Sequence, residues 1–232
     1  MKTILVSILF AALGVLFLSG CKKDNDSVDN QPKIIVQPDQ PLTDIDGNVY
    51  ATVKIGQQVW MAENLRVTHN RQGSMLTPIQ LGSQWAANLT QAAYCYYNNR
   101  SDSATVYGAL YNGKAVTGST ALAPIGWRIP TAADLTQLRV YLESFKLDDA
   151  CLKEAGYSHW LSPNTGGTNS VLFNALPGGY RFADGSFRLK GYQGRWWLND
   201  GTNSFLLLYD QSIMQTSTGT SQLGYAVRCI KE

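Results

Sequence analysis

Residues 49–62 read VYATVKIGQQVWMA and predict a β-hairpin near the start of a folded domain. Every second residue in the first half of this stretch is aliphatic, which is the period of a half-buried strand. Gly56 and Gln57 supply the turn, and residues 58–62 read as the second strand of the pair. The stretch therefore predicts that the domain begins with a sheet.

The clearest helix signal lies in the second half of the chain, after Thr131. Thr131 can cap a helix, and Asp134 stands three residues on, as in a capping box. Apolar side chains then recur at helical spacing, at Leu135, Leu138, Leu142 and Phe145. One face of this helix is expected to pack on a sheet. A second, short helix is expected over residues 150–155, with Gly156 as its left-handed terminal residue.

Between residues 158 and 203 the chain is rich in Gly, Asn, Ser and aromatic residues, and we call this segment the excursion. Turn signals recur within it, for example at residues 177–179, so short strands separated by turns are expected. Residues 225–230 predict the final strand. Strands at both ends with helices between them indicate an α+β domain.

The composition limits the classes of function. Lys and Arg number 19 against 17 Asp and Glu, a net charge of +2, so the sequence offers no electrostatic case for binding nucleic acid. Charged residues make up only 16% of the chain, which is closer to exported β-rich modules than to cytosolic helical enzymes.

The N-terminus predicts export and lipidation. An uncharged run over residues 4–18 follows Lys2 and ends in LSGC at residues 18–21, which resembles a bacterial lipobox. We expect a signal peptide over residues 1–20 and a lipid on Cys21, which anchors the protein in a membrane. A plain signal peptide and a single transmembrane helix are the alternatives.

Residues 21–41 are polar and read as a flexible tether, with the folded domain over residues 42–232. The charged residues directly after Cys21 resemble the surface-export signals of Bacteroidetes lipoproteins. An outer-membrane lipoprotein displayed at the cell surface is therefore expected ahead of one that faces the periplasm.

Six motifs occur in the order found in the Fibrobacter succinogenes major paralogous domain, which this chain resembles from Leu42 to Glu232. They are DIDGNVY (44–50), IGQQVWMAENL (55–65), YGALYN (107–112), GWRIPT (126–131), ALPGGYR (175–181) and VRC (227–229). The resemblance implies a C-type-lectin-like domain in the broad sense, with short antiparallel strands, two helices and a long irregular loop region. The motifs mix large apolar residues with turn and cap residues, so we interpret them as structural.

Cysteine pairing is inferred from the same resemblance. Cys21 is committed to lipid, which leaves Cys95, Cys151 and Cys229 in an oxidising compartment. Cys95 and Cys229 stand in family-like motifs, and the resemblance favours a disulfide between them. Three separate thiols are the alternative.

No catalytic or cofactor motif is present, and neither a cofactor nor a metal is expected. His69 and His159 lack metal-ligand spacing. Residues 197–200 (WLND) and 162–164 (SPN) match the calcium motifs of lectins imperfectly, because Leu198 is inserted and Ser162 lacks a carboxylate. The protein is expected not to be an enzyme.

The aromatic residues of the excursion predict a ligand-binding surface, because such rings stack on sugars or anchor protein partners. The expected ligand-binding residues are Trp160, Asn164, Tyr192, Arg195, Trp196, Trp197, Asn199 and Asp200. At least one of the four rings should face solvent. Trp196 and Trp197 should lie on opposite faces of a strand, one in the core and the other available.

These observations predict a non-catalytic binding module for a glycan or another extracellular ligand. A structural or adhesive envelope protein that binds a protein partner is the alternative, and an unrecognised enzyme of the formylglycine-generating type is the third. Ser27 and Ser103 each follow Asp and precede an apolar residue, which resembles the O-glycosylation acceptor of Bacteroidetes, with the tether site ranked above the domain site.

Overall fold

The computed structural model describes residues 34–117 and 122–232, which form three β-sheets with a few helices. This is the mostly β arrangement of an α+β protein. The predicted signal peptide, Cys21 and Ser27 lie outside the described residues. Within the described ranges, every helix is too short or too polar to cross a membrane.

The strands are short. In chain order they are β1 (Val36–Thr43), β2 (Val49–Ile55), β3 (Gln58–Met61), β4 (Thr77–Pro78), β5 (Ala93–Cys95), β6 (Leu110–Asn112), β7 (Trp127–Arg128), β8 (Tyr180–Arg181), β9 (Phe187–Arg188), β10 (Gln193–Trp197), β11 (Asn203–Leu208), β12 (Gln215–Thr218), β13 (Gly224–Tyr225) and β14 (Ile230–Lys231). The helices are α1 (Gly82–Ala87), α2 (Ala104–Tyr107), α3 (Gly113–Thr117) and α4 (Ala132–Ser144), with 3₁₀ turns at Tyr97–Asn99, Ser101–Ser103 and Asp149–Leu152.

The three sheets have the strand orders β1-β2-β3-β14-β7, β4-β5-β6-β13-β8-β9 and β10-β11-β12. All strand pairs are antiparallel except β4 with β5. The predicted hairpin is confirmed as β2 and β3, with Ile55 opposite Gln58 across the turn. The first and last strands of the described chain share the first sheet.

Strand β1 begins before the predicted domain boundary at residue 42, so the predicted tether over residues 21–41 extends too far. Pro38 and Pro41 give this stretch the composition of a linker. They are compatible with β1 because it is an edge strand, where a residue without an N–H is tolerated. The β1–β2 register also shifts between Asp39 and Leu42.

Helix α4 confirms the predicted capping box. The Thr131 hydroxyl accepts a bond from the Asp134 N–H, and the Asp134 carboxylate accepts one from the Thr131 N–H at 2.7 Å. The predicted face is buried at Leu135, Leu138 and Leu142, which pack in one core with Trp60 of β3.

The predicted second helix is wrong, because residues 149–152 form only a 3₁₀ turn. The Asp149 carboxylate does not cap a helix; it accepts hydrogen bonds from Arg139 and from the Met214 N–H. Lys153 is then extended and forms a parallel bridge to Ala175.

The predicted final strand over residues 225–230 is divided between sheets. β13 pairs with β6 and β8, and β14 pairs with β3 and β7. Between them, Ala226 bridges to Trp196 of β10. The closing segment, residues 224–231, therefore contacts all three sheets.

Candidate functional site

Trp196 and Trp197 lie on opposite faces of β10, as the alternation predicts, yet both are 0% exposed. Trp196 stacks on Phe205 at 5.1 Å, and its Nε1–H donates to Asn64 Oδ1 at 2.7 Å. Trp197 packs against Tyr225, and its Nε1–H donates to the Tyr111 carbonyl. The prediction that one ring is available is wrong, because a hydrophobic core covers each face of β10.

Two more of the predicted ligand-binding residues have structural roles. Trp160 is buried and donates to the Ala175 carbonyl. Asn164 is also buried, and its side-chain amide donates to the carbonyls of Glu154 and Gly156. Neither side chain is available to a ligand.

The polar residues around β10 are more accessible. Arg195 is half-buried, with its guanidinium 4.3 Å from the Tyr225 ring centroid. Asn199 and Asp200 are exposed in the turn before β11. Burial acts to raise the pKa of Asp200, but hydrogen bonds from Asn203 and Thr202 outweigh it and lower that pKa. The Asp200 carboxylate thus stabilises its own turn.

Tyr192 is the predicted ring that faces solvent, with 44% of its surface exposed. Its edge meets the Tyr209 ring at a centroid distance of 5.3 Å, which fixes its orientation. The expectation that at least one of the four rings is exposed is confirmed.

A cleft of about 340 Å³ opens at Lys190, two residues before Tyr192, and we call it the Lys190 cleft. Its lining comes from both 3₁₀ turns after β5, from α2 and from the excursion. The lining residues are Tyr97, Asn98, Arg100, Asp102, Ser103, Val106, Tyr107 and Lys190. Aromatic rings beside a small set of polar groups are typical of ligand sites.

Of the three charged residues that line the Lys190 cleft, two pair with each other and Lys190 does not. Lys190 Nζ lies 4.5 Å from the Tyr107 ring centroid and 5.5 Å from that of Tyr97, and it forms no ion pair with a described residue. Arg100 and Asp102 form a two-point ion pair with N···O distances of 2.5 and 3.1 Å. Hydrogen bonding from Arg100 lowers the pKa of Asp102, which keeps this exposed carboxyl ionised.

Glycine residues of the ALPGGYR motif make room for the two tyrosines. Gly179 has φ +66°, and a Cβ there would lie 2.8 Å from Tyr97 Cε2 and 2.7 Å from the backbone nitrogen of Lys190. A Cβ on Gly178 would touch the Tyr107 side chain at 3.4 Å. The close approach of these segments therefore requires glycine at position 179.

A buried polar cluster of Asn64, Trp196 and Arg228 is hydrogen-bonded to the backbone of Tyr107, and we call it the Asn64 cluster. Asn64 Oδ1 accepts hydrogen bonds from Trp196 Nε1–H and from Arg228 Nε–H, and Asn64 Nδ2–H donates to the Tyr107 carbonyl at 2.8 Å. Arg228 is 1% exposed and also donates to the carbonyls of Phe173 and Asn174. Burial lowers the pKa of Arg228, and these acceptors offset part of the cost of burying its charge.

The histidines do not form a metal site with each other. His159 Nδ1 lies 2.7 Å from Glu154 Oε1, and the His159 ring meets the Tyr107 ring edge to face. His69 Nδ1 lies 2.6 Å from Asp46 Oδ1. In residues 34–117 and 122–232, no three His, Cys, Asp or Glu side chains are grouped to hold a metal ion.

The predicted disulfide is not formed, since Cys95, Cys151 and Cys229 are all free and buried. Cys95 packs in a small cluster with Trp85, whereas Cys229 belongs to a different core. The predicted glycosylation site at Ser103 is poorly accessible, because Ser103 is 9% exposed and its hydroxyl donates to the Arg100 carbonyl at 2.6 Å.

A family model described as the Fibrobacter succinogenes major domain matches residues 53–231. No curated protein and no solved structure matches the chain.

Proposed function

The chain belongs to the Fibrobacter succinogenes major domain family, and we propose that it is a non-catalytic binding module whose ligand is a glycan. The observation that carries this proposal is the Lys190 cleft, with two half-buried tyrosines beside polar groups. Sugars are recognised by aromatic rings together with groups that hydrogen-bond to hydroxyls.

A binding role is favoured over catalysis because Asp102 and Ser103 of the cleft are already engaged in hydrogen bonds. Asp102 is held as a carboxylate by Arg100, which suits hydrogen bonding to sugar hydroxyls better than proton donation. The Ser103 hydroxyl donates to a backbone carbonyl.

For the fold, the proposal is a C-type-lectin-like domain in the broad sense. Its support is that the first and last strands share one sheet, while the long excursion with its short strands lies between them in the sequence. Loops held by a rigid sheet in this way commonly carry binding residues.

For the location, the proposal is a surface-exposed outer-membrane lipoprotein anchored through Cys21. Its support is the LSGC sequence at the end of the apolar N-terminal run. A fatty-acid analogue should label the wild type and leave Cys21→Ala unlabelled, whereas equal labelling of both would overturn the anchor.

A glycan array probed with the wild type, Tyr107→Ala and Tyr157→Ala tests the binding function. Tyr157 is 65% exposed and does not line the cleft, so it is the matched control. Tyr107→Ala should weaken binding about tenfold or more, as for a central aromatic contact, and Tyr157→Ala should bind like the wild type. Near-ultraviolet circular dichroism checks that each variant is folded. A wild type that retains no glycan would overturn the proposal.

An adhesive role with a protein partner is the second candidate. A mainly apolar groove of about 210 Å³ lies beside two exposed isoleucines, Ile45 and Ile125. If this candidate is correct, Ile125→Asp abolishes co-purification with a specific envelope protein while glycan binding is unchanged.

A further inference from the structure

We propose that the Lys190 cleft selects carboxylated sugars, the class of uronic and sialic acids, with the Lys190 ammonium binding the carboxylate. This inference rests on the proposed glycan-binding function and names the chemical class of its ligand.

The charge of the cleft is the first argument. Its lining carries two cations, Arg100 and Lys190, and one anion, Asp102. The charge of Asp102 is compensated by Arg100 through two hydrogen bonds. Lys190 remains as a positive charge without a partner among the described residues, so the cleft attracts an anion.

The position of the ammonium is the second argument. Lys190 is an exposed residue, yet its Nζ lies over the rings of Tyr107 and Tyr97. Cation–π attraction holds a lysine that is otherwise flexible, so less entropy is lost when a ligand binds. The faces of the two rings are not conventional hydrogen-bond acceptors. The N–H groups of the Lys190 ammonium are therefore free to donate to an oxygen of the ligand.

The remaining lining fits the rest of a sugar. Asn98 is exposed, has φ +53° and lines the cleft together with Asp102. Its amide provides a donor and an acceptor, and the Asp102 carboxylate provides an acceptor, which are the groups that pyranose hydroxyls need. A sugar that places its carboxylate on Lys190 directs its hydroxyls toward these side chains.

A carboxylate suits the cleft better than a phosphate does. Phosphate groups are usually bound by several cations or by an Arg fork, because they carry close to two negative charges. Here the only Arg of the lining is already paired, and one charge is available at Lys190. A single carboxylate matches that charge.

Calorimetric titration with two matched pairs of probes tests the inference: trigalacturonate against its methyl ester, and sialyllactose against lactose. The wild type should bind the acidic member of at least one pair ten times or more tighter than its neutral counterpart. Lys190→Met should remove most of that difference, because the acidic probe then loses the ammonium that binds its carboxylate. Lys146→Met removes the same charge from an exposed position outside the cleft and should behave like the wild type.

The possible results distinguish a failure of this inference from a failure of the proposed glycan-binding function. If the acidic and neutral members bind equally, or if Lys190→Met and Lys146→Met have the same effect, the acidic class is wrong and the glycan-binding function stands. If the wild type binds neither member of either pair and retains nothing on a glycan array, both proposals are overturned. Raising the salt concentration should weaken binding of the acidic probe only, because ions screen exposed charges.

Discussion

At the scale of single residues, Asn64 connects three segments that are distant in sequence. Its carboxamide accepts from Trp196 and Arg228 and donates to the carbonyl of Tyr107. All the groups involved are buried or half-buried, so water cannot replace a lost partner without reorganisation of the core. This one amide therefore links the hydrophobic core to a wall of the Lys190 cleft.

Replacing Asn64 with Ala should lower the free energy of unfolding by about 3–5 kcal/mol, because it leaves the Trp196 Nε1–H and the Nε–H of the buried Arg228 without an acceptor. Urea denaturation measures the change. Asn199→Ala is the control: Asn199 is exposed, and its replacement should change stability by less than about 0.5 kcal/mol. Equal effects of the two substitutions would show that the Asn64 cluster contributes little.

The three described cysteines should be unreactive in the folded protein. Burial raises the pKa of Cys95 to about 11 and those of Cys151 and Cys229 to about 12, so the reactive thiolate is scarce below pH 9. In a Cys21→Ser form, a thiol reagent should label three sites in urea and almost none without it. Recovery of a peptide that links Cys95 to Cys229 would contradict this prediction.

At the scale of elements, the N-terminus of α4 is held by a charged cap. The Arg128 guanidinium binds both oxygens of Asp134, at 2.6 and 2.7 Å, while Asp134 also caps the helix with Thr131. Burial alone would raise the pKa of Asp134, but the bonds from Arg128 and Thr131 outweigh it and lower the pKa to about 2.

Because the folded pKa of Asp134 lies below its usual value of 3.8, its contribution to stability is present above pH 4 and is lost as the pH falls toward 2. Asp134→Asn should therefore cost about 1–2 kcal/mol at pH 7, in the range of an N-cap with a charged partner. The difference from the wild type should shrink below pH 4. Thermal unfolding at several pH values measures it, and a constant difference from pH 7 to pH 2 would refute the assignment.

The elements that could be predicted from the sequence are those with strong local signals. Alternation and the Gly56-Gln57 turn identified the hairpin of β2 and β3, although Val49 is exposed and Tyr50 is buried, the reverse of the expected faces at the start of β2. The capping box with its leucines identified α4. β1 was missed because its prolines resemble a linker. The division of the predicted final strand into β13 and β14 was also missed. It depends on partners in β6 and β3 that lie more than 100 residues away in the sequence.

The site was predictable only in part, because contacts between segments that are distant in sequence leave no local pattern. Alternation indicated the opposite faces of Trp196 and Trp197, but it carries no information about what covers each face. Tyr97, Tyr107 and Lys190 were missed because segments distant in sequence bring them together. The available signal was the Gly178-Gly179 pair, which marks a close backbone approach.

At the scale of the whole molecule, the closing segment holds the three sheets together. A chain that ends at Thr220 lacks β13, the Ala226 bridge and β14, so it should lose cooperative unfolding. Circular dichroism during heating measures this loss. Removal of Glu232 alone deletes one backbone hydrogen bond and should leave the transition nearly unchanged. A cooperative transition in the shorter chain would contradict this account.

The late position of the closing segment in the sequence also determines when the domain can finish folding during synthesis. A ribosome delivers β3 and β6 long before residues 224–231, and these two strands remain without this partner until the closing segment has been synthesised. The domain therefore completes its core only once residues 224–231 have left the ribosome. Until then the edges of β3 and β6 that pair with this segment lack their partners.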